Sequence, residues 1–184
     1  MGYIAVFSRL LVAIVFAVSA SAKLRSRAAF GDFASWLGHV PVLPARAQAA
    51  TAVALAGAEA ATVVLVALPW TALAGLALAV VTMTVLATGA LLVARADVRV
   101  PCECFGTSTT PIGKRHVARN VTLCLAAAAG TGAQASGAGM VQPAGLGLSL
   151  GAATVAALCV VFMDDLVTLL AAPDEVSSNG RAQR

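Results

Sequence analysis

Apolar positions along this chain come in long unbroken runs, not in the alternating pattern of a half-buried sheet. The first run extends from Tyr3 to Ala22 and is interrupted only by Arg9. The second extends from Ala47 to Leu68, with Glu59 near its middle. Pro69 and Trp70 then predict a tight turn, and a third run follows from Thr71 to Ala94. Each run reaches the roughly 20 residues that an α-helix needs to cross about 30 Å of hydrocarbon. Open strands would leave unpaired edges in lipid, so the runs predict membrane-spanning helices. Gly75, Gly89 and the many alanines predict close helix packing.

The segment from Arg95 to His116 is polar and predicts an ordered surface loop. It holds Pro101, Cys102, Cys104, Gly106, Pro111 and Gly113. A fourth run begins near Val117, passes through Val121 to Ala129, and weakens into the glycine-rich stretch from Gly130 to Gly139. A last run, Leu146 to Met163, meets Asp164 and Asp165, which mark its expected end, before Leu166 to Ala172. The expected fold is all-α: a polytopic membrane helix bundle with a four-helix core over residues 1–135. Residues 136–172 are expected to hold a glycine-rich loop and a fifth transmembrane helix, and residues 173–184 a disordered tail.

Composition agrees. Hydrophobic residues make up 60% of the chain and charged residues 11%, whereas a soluble domain carries about 25% charged. A soluble core of this size could not absorb so much apolar surface. The net charge of +4 matters less than its distribution. With five spans, Lys23, Arg25, Arg27, Arg46, Arg95, Arg99, Lys114, Arg115, Arg119, Arg181 and Arg184 share one side. Of the 12 Lys and Arg residues, only Arg9 falls on the other. That bias places the N-terminus outside the cytoplasmic membrane and the cysteine loop at its cytoplasmic face. The basic residues suit contact with anionic lipid in the bilayer. No nucleic acid is expected as a partner, because no basic stripe is interleaved with aromatics. Tyr3 to Ala22 also has a signal-peptide reading, from Arg9 and the small residues Ala20-Ser21-Ala22. Cleavage there would leave Lys23, Arg25 and Arg27 outside, against the charge bias.

The stretch Pro101-Cys102-Glu103-Cys104-Phe105-Gly106 carries the most chemistry. Two cysteines one residue apart can close only a strained, readily reduced disulfide, which suits exchange better than permanence. Arg99, Lys114, Arg115 and His116 would favour thiolates, and Glu103 would oppose them. No metal site is expected, since two thiolates with at most His116 fall short of a closed zinc site. A two-thiolate copper site and cysteines without any chemistry are the competing readings. Cys124 and Cys159 lie in apolar spans, where cysteine is ordinarily a small hydrophobe; one of them as a resolving thiol is the other reading. Glu59 is expected to face the bundle interior and find a partner, either as a proton relay or as a hydrogen bond that locks helices together. Lys23 is expected to snorkel to the interface. Arg119 can reach headgroups or stabilise a thiolate of the cysteine loop.

In these residues the chain resembles the MauE branch of the MauE/DoxX membrane proteins. Ser8-Arg9-Leu10-Leu11 through Val18-Ser19-Ala20-Ser21-Ala22-Lys23-Leu24 looks like that family's first helix with its closing lysine. Phe30, Phe33 and the Leu43-Pro44 turn look like its first loop, and Glu59 falls at a glutamate of its second helix. Cys102-x-Cys104-Phe105-Gly106 followed by Arg119-Asn120 is the most specific part, and the features together cover about residues 4 to 130. Ala20 and Glu103 depart from the pattern, which often has glycine at both positions, and Glu103 sets a charge beside both sulfurs.

The resemblance implies a four-helix core related to DoxX-type and quinone-linked thiol oxidoreductases, with a quinone as the candidate cofactor. It also implies a role in processing, transport or maturation of the disulfide-rich small subunit of methylamine dehydrogenase. That enzyme matures outside the cytoplasmic membrane, in conflict with a cytoplasmic cysteine loop. A cytoplasmic loop would instead exchange electrons with a thioredoxin-like partner. The leading expectation is therefore a membrane thiol–disulfide oxidoreductase using Cys102 and Cys104. The alternative is a non-catalytic assembly factor for a partner enzyme. A transporter with Glu59 as proton site is disfavoured by the lack of an inverted repeat and of paired broken helices.

Overall fold

The computed structural model describes residues 1–96, 113–137, 142–164 and 166–167. Its elements are helices, in chain order α1 (Gly2–Leu24), α2 (Arg27–Trp36), α3 (Gln48–Ala67), α4 (Ala72–Arg95), α5 (Lys114–Ala135) and α6 (Pro143–Val161). Among the described residues, three segments are long and apolar enough to span a bilayer: Gly2–Leu24, Ala45–Ala67 and Ala72–Arg95. They coincide with the first three apolar runs. The protein is a multi-pass membrane helix bundle.

Helix order along the membrane follows from named contacts. Arg9 of α1 meets Val66 of α3, and Lys23 meets Glu59, so these helices are antiparallel. The turn at Leu68–Thr71 reverses α3 into α4, where Thr71 Oγ1 donates to Leu65 O at 2.7 Å. Gly75 sits directly on α3, and a β-carbon there would lie 2.7 Å from the Val66 backbone nitrogen. Close packing at Gly75 is therefore backbone against backbone. Gly89 differs from its expectation: a β-carbon there would meet nothing within 4 Å, because the helix passes a cavity at that point.

Helix α5 does not weaken at its glycines but continues through Gly130 and Gly132 to Ala135. Gly130 packs so tightly on Ser8 of α1 that any side chain would collide, so tertiary contact outweighs the low helix propensity of glycine. Thr84 meets Cys124, and Leu91 of α4 shares a groove with Val117 of α5, so α4 and α5 run antiparallel. Helix α6 starts with Pro143 in its first turn, a position where the missing N–H costs nothing. It packs along α1, and Gly145 lies against the Tyr3 ring.

The loop expected between the first two spans contains a helix. Ser26 caps α2 by accepting from the Ala29 N–H at 3.1 Å. Phe33 and Trp36, three residues apart on one face, are buried against α1 and α3. Ala29, Phe30 and Ala34 are half-buried and the remaining α2 positions exposed, as expected of a short amphipathic helix lying across the end of a bundle. One end of the molecule thus gathers the close of α1, helix α2, the close of α4 and the start of α5.

Candidate functional site

A helix that ends in lysine ordinarily sends its ammonium to the membrane surface. Here Lys23, the penultimate residue of α1, is only 1% exposed. The snorkelling expectation is wrong for a structural reason: α2 folds back and covers the position. Phe33 of α2 sets its ring 4.9 Å from the Lys23 Nζ, within cation–π range.

The ammonium finds its partners inside. Nζ donates to Ser19 Oγ at 2.6 Å, one turn back on α1, and to Glu59 Oε1 and Oε2 at 3.0 and 2.9 Å. Glu59 is 0% exposed, so both carboxylate oxygens close on one cation in a dry site. A buried carboxylate or ammonium alone would cost several kcal/mol, and the short forked geometry offsets that cost. Glu59 faces inward with a partner, as its place in an apolar span required. The partner's identity was hidden. The four-residue spacing of Ser19 and Lys23, on the buried face of α1 with Ser8, Val12, Val15 and Phe16, is the signal that could have revealed it.

A second polar cluster lies at the same end of the bundle, on α5. His116, Arg119 and Asn120 are all buried. The Gly113 N–H donates to His116 Nδ1 at 3.3 Å, closing the first turn of the helix. His116 Nε2 is 3.4 Å and Arg119 Nη1 3.9 Å from Oδ2 of Asp164, just past α6. Asp164 thus ties the end of α6 to α5. His116 stands in the polar first turn, ahead of the apolar stretch that begins at Val117. Burial pushes its imidazole below the usual histidine range, the Asp164 carboxylate pulls it back up, and Arg119 and Arg115 push it further down.

The remaining sequence candidates divide. Cys102 and Cys104 lie outside the described residues, as do Glu103, Arg99 and Asp165. Their segment, 97–112, joins the ends of α4 and α5, so its two anchor points sit at the end of the bundle that holds Lys23, His116 and Arg119. Arg119 is placed toward Asp164. Cys124 sits between α4 and α5, with Sγ 3.4 Å from Thr84 Oγ1, and Cys159 is exposed on α6. Arg9, the one basic residue that the charge count set on the opposite side, is half-buried. Its Nε and Nη2 donate to Val66 O at 3.1 and 2.9 Å, satisfying a carbonyl left open by the end of α3. Among the described residues, no group of three His, Cys, Asp or Glu side chains could hold a metal ion.

Comparison with curated proteins and with solved structures gave no match. The family model described as methylamine utilisation protein MauE matches residues 1–133. That stretch runs from the start of α1 almost to the end of α5 and includes Ser19, Lys23, Glu59, His116 and Arg119, together with the Cys102–Cys104 pair. The chain belongs to the MauE family, membrane proteins of methylamine utilisation.

Proposed function

We propose that this protein is a membrane thiol–disulfide oxidoreductase in which Cys102 and Cys104 are the exchanging pair. In one direction, a thiolate of the reduced pair attacks a sulfur of a client disulfide. The client's second sulfur leaves and takes a proton, and the remaining cysteine displaces the first. The client ends as a dithiol and the pair as a Cys102–Cys104 disulfide; the reverse sequence oxidises the client. The client class suggested by the family is the disulfide-rich small subunit of methylamine dehydrogenase. A thioredoxin-like protein would serve on the cytoplasmic side, where the charge bias sets the loop.

The observation that supports this reading is the buried Lys23–Glu59 pair at the end of the bundle where segment 97–112 is anchored. Disulfide exchange needs a cation to favour a thiolate and a base to hold its proton. Lys23 would supply the first and Glu59 the second, with Arg119 as an additional cation. Ion pairs this deeply buried are common where membrane proteins move protons or electrons and rare elsewhere.

The test is to trap client thiols by alkylation in cells grown on methylamine, comparing wild type with C102S/C104S. A shift in the redox state of the small subunit, or of a captured thioredoxin-like partner, is the expected result. Client redox states unchanged by the double substitution would sink the proposal. If the client still co-purified with that variant, the assembly-factor reading would take its place.

A further inference from the structure

At the end of the bundle away from Lys23, a groove opens between α1, α3 and α6. Leu10 and Ala13 of α1, Val66 of α3, and Leu146 and Leu150 of α6 wall a space of about 400 Å³, with Arg9 at its side. Arg9 is the sole charged residue among the described residues that line it. Leu146 and Leu150, one helical turn apart, are 39% and 40% exposed, so the groove is open along its length to lipid.

The guanidinium has no counter-charge here. Its Nε and Nη2 share one neutral acceptor, Val66 O, and among the described residues it forms no ion pair. A guanidinium carries five N–H donors, so three remain for a further acceptor. An uncompensated cation beside lipid is costly, and its position says what can relieve it. Val66 is the penultimate residue of α3, and the turn that follows carries Trp70, 78% exposed. Tyr3, 43% exposed, stands less than two turns ahead of Arg9 on α1. Aromatic residues so placed mark the membrane interface, where phospholipid headgroups lie.

We infer that this groove binds an anionic phospholipid, with Arg9 donating to its phosphodiester and an acyl chain lying against Leu10, Leu146 and Leu150. A phosphodiester accepts the remaining guanidinium donors with the geometry that arginine favours. No carboxylate among the described lining residues could receive an ammonium or choline group, so a headgroup of net negative charge fits better than a zwitterionic one. A water-soluble anion would leave the apolar walls unused. Leu146 and Leu150 lie beyond residue 133, so α6, outside the family-matched region, completes the site. A lipid seated there ties α6 to α1 and α3 at the end opposite Asp164. The site makes no use of Cys102, Cys104 or the Lys23–Glu59 pair, so it stands or falls apart from the redox function.

Trp70, four residues past Val66, is one of two tryptophans, and Trp36→Phe leaves it as the sole reporter. The W36F protein is reconstituted in phosphatidylcholine nanodiscs with lipid brominated high on one acyl chain, which quenches indole fluorescence at short range. Brominated phosphatidylglycerol should quench Trp70 at about one-fifth the mole fraction that brominated phosphatidylcholine requires, the worth of one basic residue facing anionic lipid. Adding Arg9→Gln keeps a donor for Val66 O and should abolish that preference, whereas Arg9→Lys should retain it. Arg46→Gln removes the same unit of charge from an exposed site at the other end of the bundle and should leave the preference unchanged. A preference that survives R9Q, or that falls as far in R46Q, would overturn the proposal by assigning it to overall charge. Equal quenching by the two brominated lipids would also overturn it, making the groove a seat for any acyl chain. So would loss of the preference on adding inorganic phosphate, which would make Arg9 a site for small anions.

Discussion

Two cation–carboxylate clusters occupy the same end of the bundle, and they are built to opposite standards. At Lys23–Glu59 both groups are essentially unexposed, and the ammonium is held at 2.9 and 3.0 Å by the two carboxylate oxygens and at 2.6 Å by Ser19. At His116–Arg119–Asp164 the distances are 3.4 and 3.9 Å, and the Asp164 side chain is 18% exposed. The first cluster joins two central helices within the family-matched region. The second joins α5 to Asp164, beyond residue 133, where the family match ends. A pair fully desolvated between packed helices must have near-ideal geometry, or its desolvation cost goes uncompensated. A cluster whose carboxylate is still 18% exposed can be looser, because water shares the load on that one partner.

The largest expected effect follows from breaking the inner pair on one side only. Glu59→Leu or Lys23→Met removes one half of a buried ion pair closed at 2.9 and 3.0 Å, and each should cost about 3–5 kcal/mol of stability. The K23M/E59L double variant removes both charges and should recover most of that loss. Unfolding in a mixed-micelle denaturant titration measures all three. If the double variant fell as far as the singles, the two residues would not form a closed electrostatic unit. If it folded but could no longer change client redox state, the pair would be shown to serve chemistry beyond stability.

This contrast also explains what the sequence revealed. Hydropathy reports the composition of one segment at a time, so α1, α3 and α4 stood out, as did the need of Glu59 for a partner. The partner lay 36 residues away, in a position whose surroundings depend on a different segment. Lys23 is buried because Phe33 and Trp36 bring α2 back over it, and a ten-residue amphipathic helix leaves no long apolar run to notice. Arg9 and Gly130 escaped for the same reason: each is explained by a residue on another helix, Val66 and Ser8. The cysteine motif was the reverse case, plain in the sequence yet outside the described residues.

The outer cluster should respond far less. Asp164→Asn keeps the shape and removes the charge that the Arg119 guanidinium and the His116 imidazole both face. At 3.4 and 3.9 Å, with Asp164 partly open to water but both partners buried, the expected loss is about 1–2 kcal/mol, below that of the inner variants. The same denaturant titration measures it, and the effect should shrink at high salt, unlike that of Glu59→Leu. A loss as large as that of the inner variants would mean that α6 depends on Asp164 for its seat against α5, and the contrast between the clusters would collapse.

The smallest effect, and the one that reads the outer cluster from within, is pH dependence at His116. Burial holds its folded-state pKa below the unfolded value of about 6.5, so the folded protein binds fewer protons than the unfolded chain. Stability should therefore be flat above neutral pH, fall as pH drops below about 6.5, and level off once the folded imidazole is also protonated. Asp164 opposes this by favouring the imidazolium, so Asp164→Asn should lower the folded pKa further and deepen the loss on the acid side. His116→Gln should remove the dependence, while its amide can still accept the Gly113 N–H, as glutamine does at the third position of a capped helix. The expected change in wild type is smaller than that of Asp164→Asn and is measurable as a shift in unfolding midpoint between pH 7.5 and 5.5. An acid-side loss that persisted in His116→Gln would assign the titration to another group and take it away from His116. A gain in stability on acidification would mean that Asp164 outweighs burial and that the outer pair is as well coupled as the inner one.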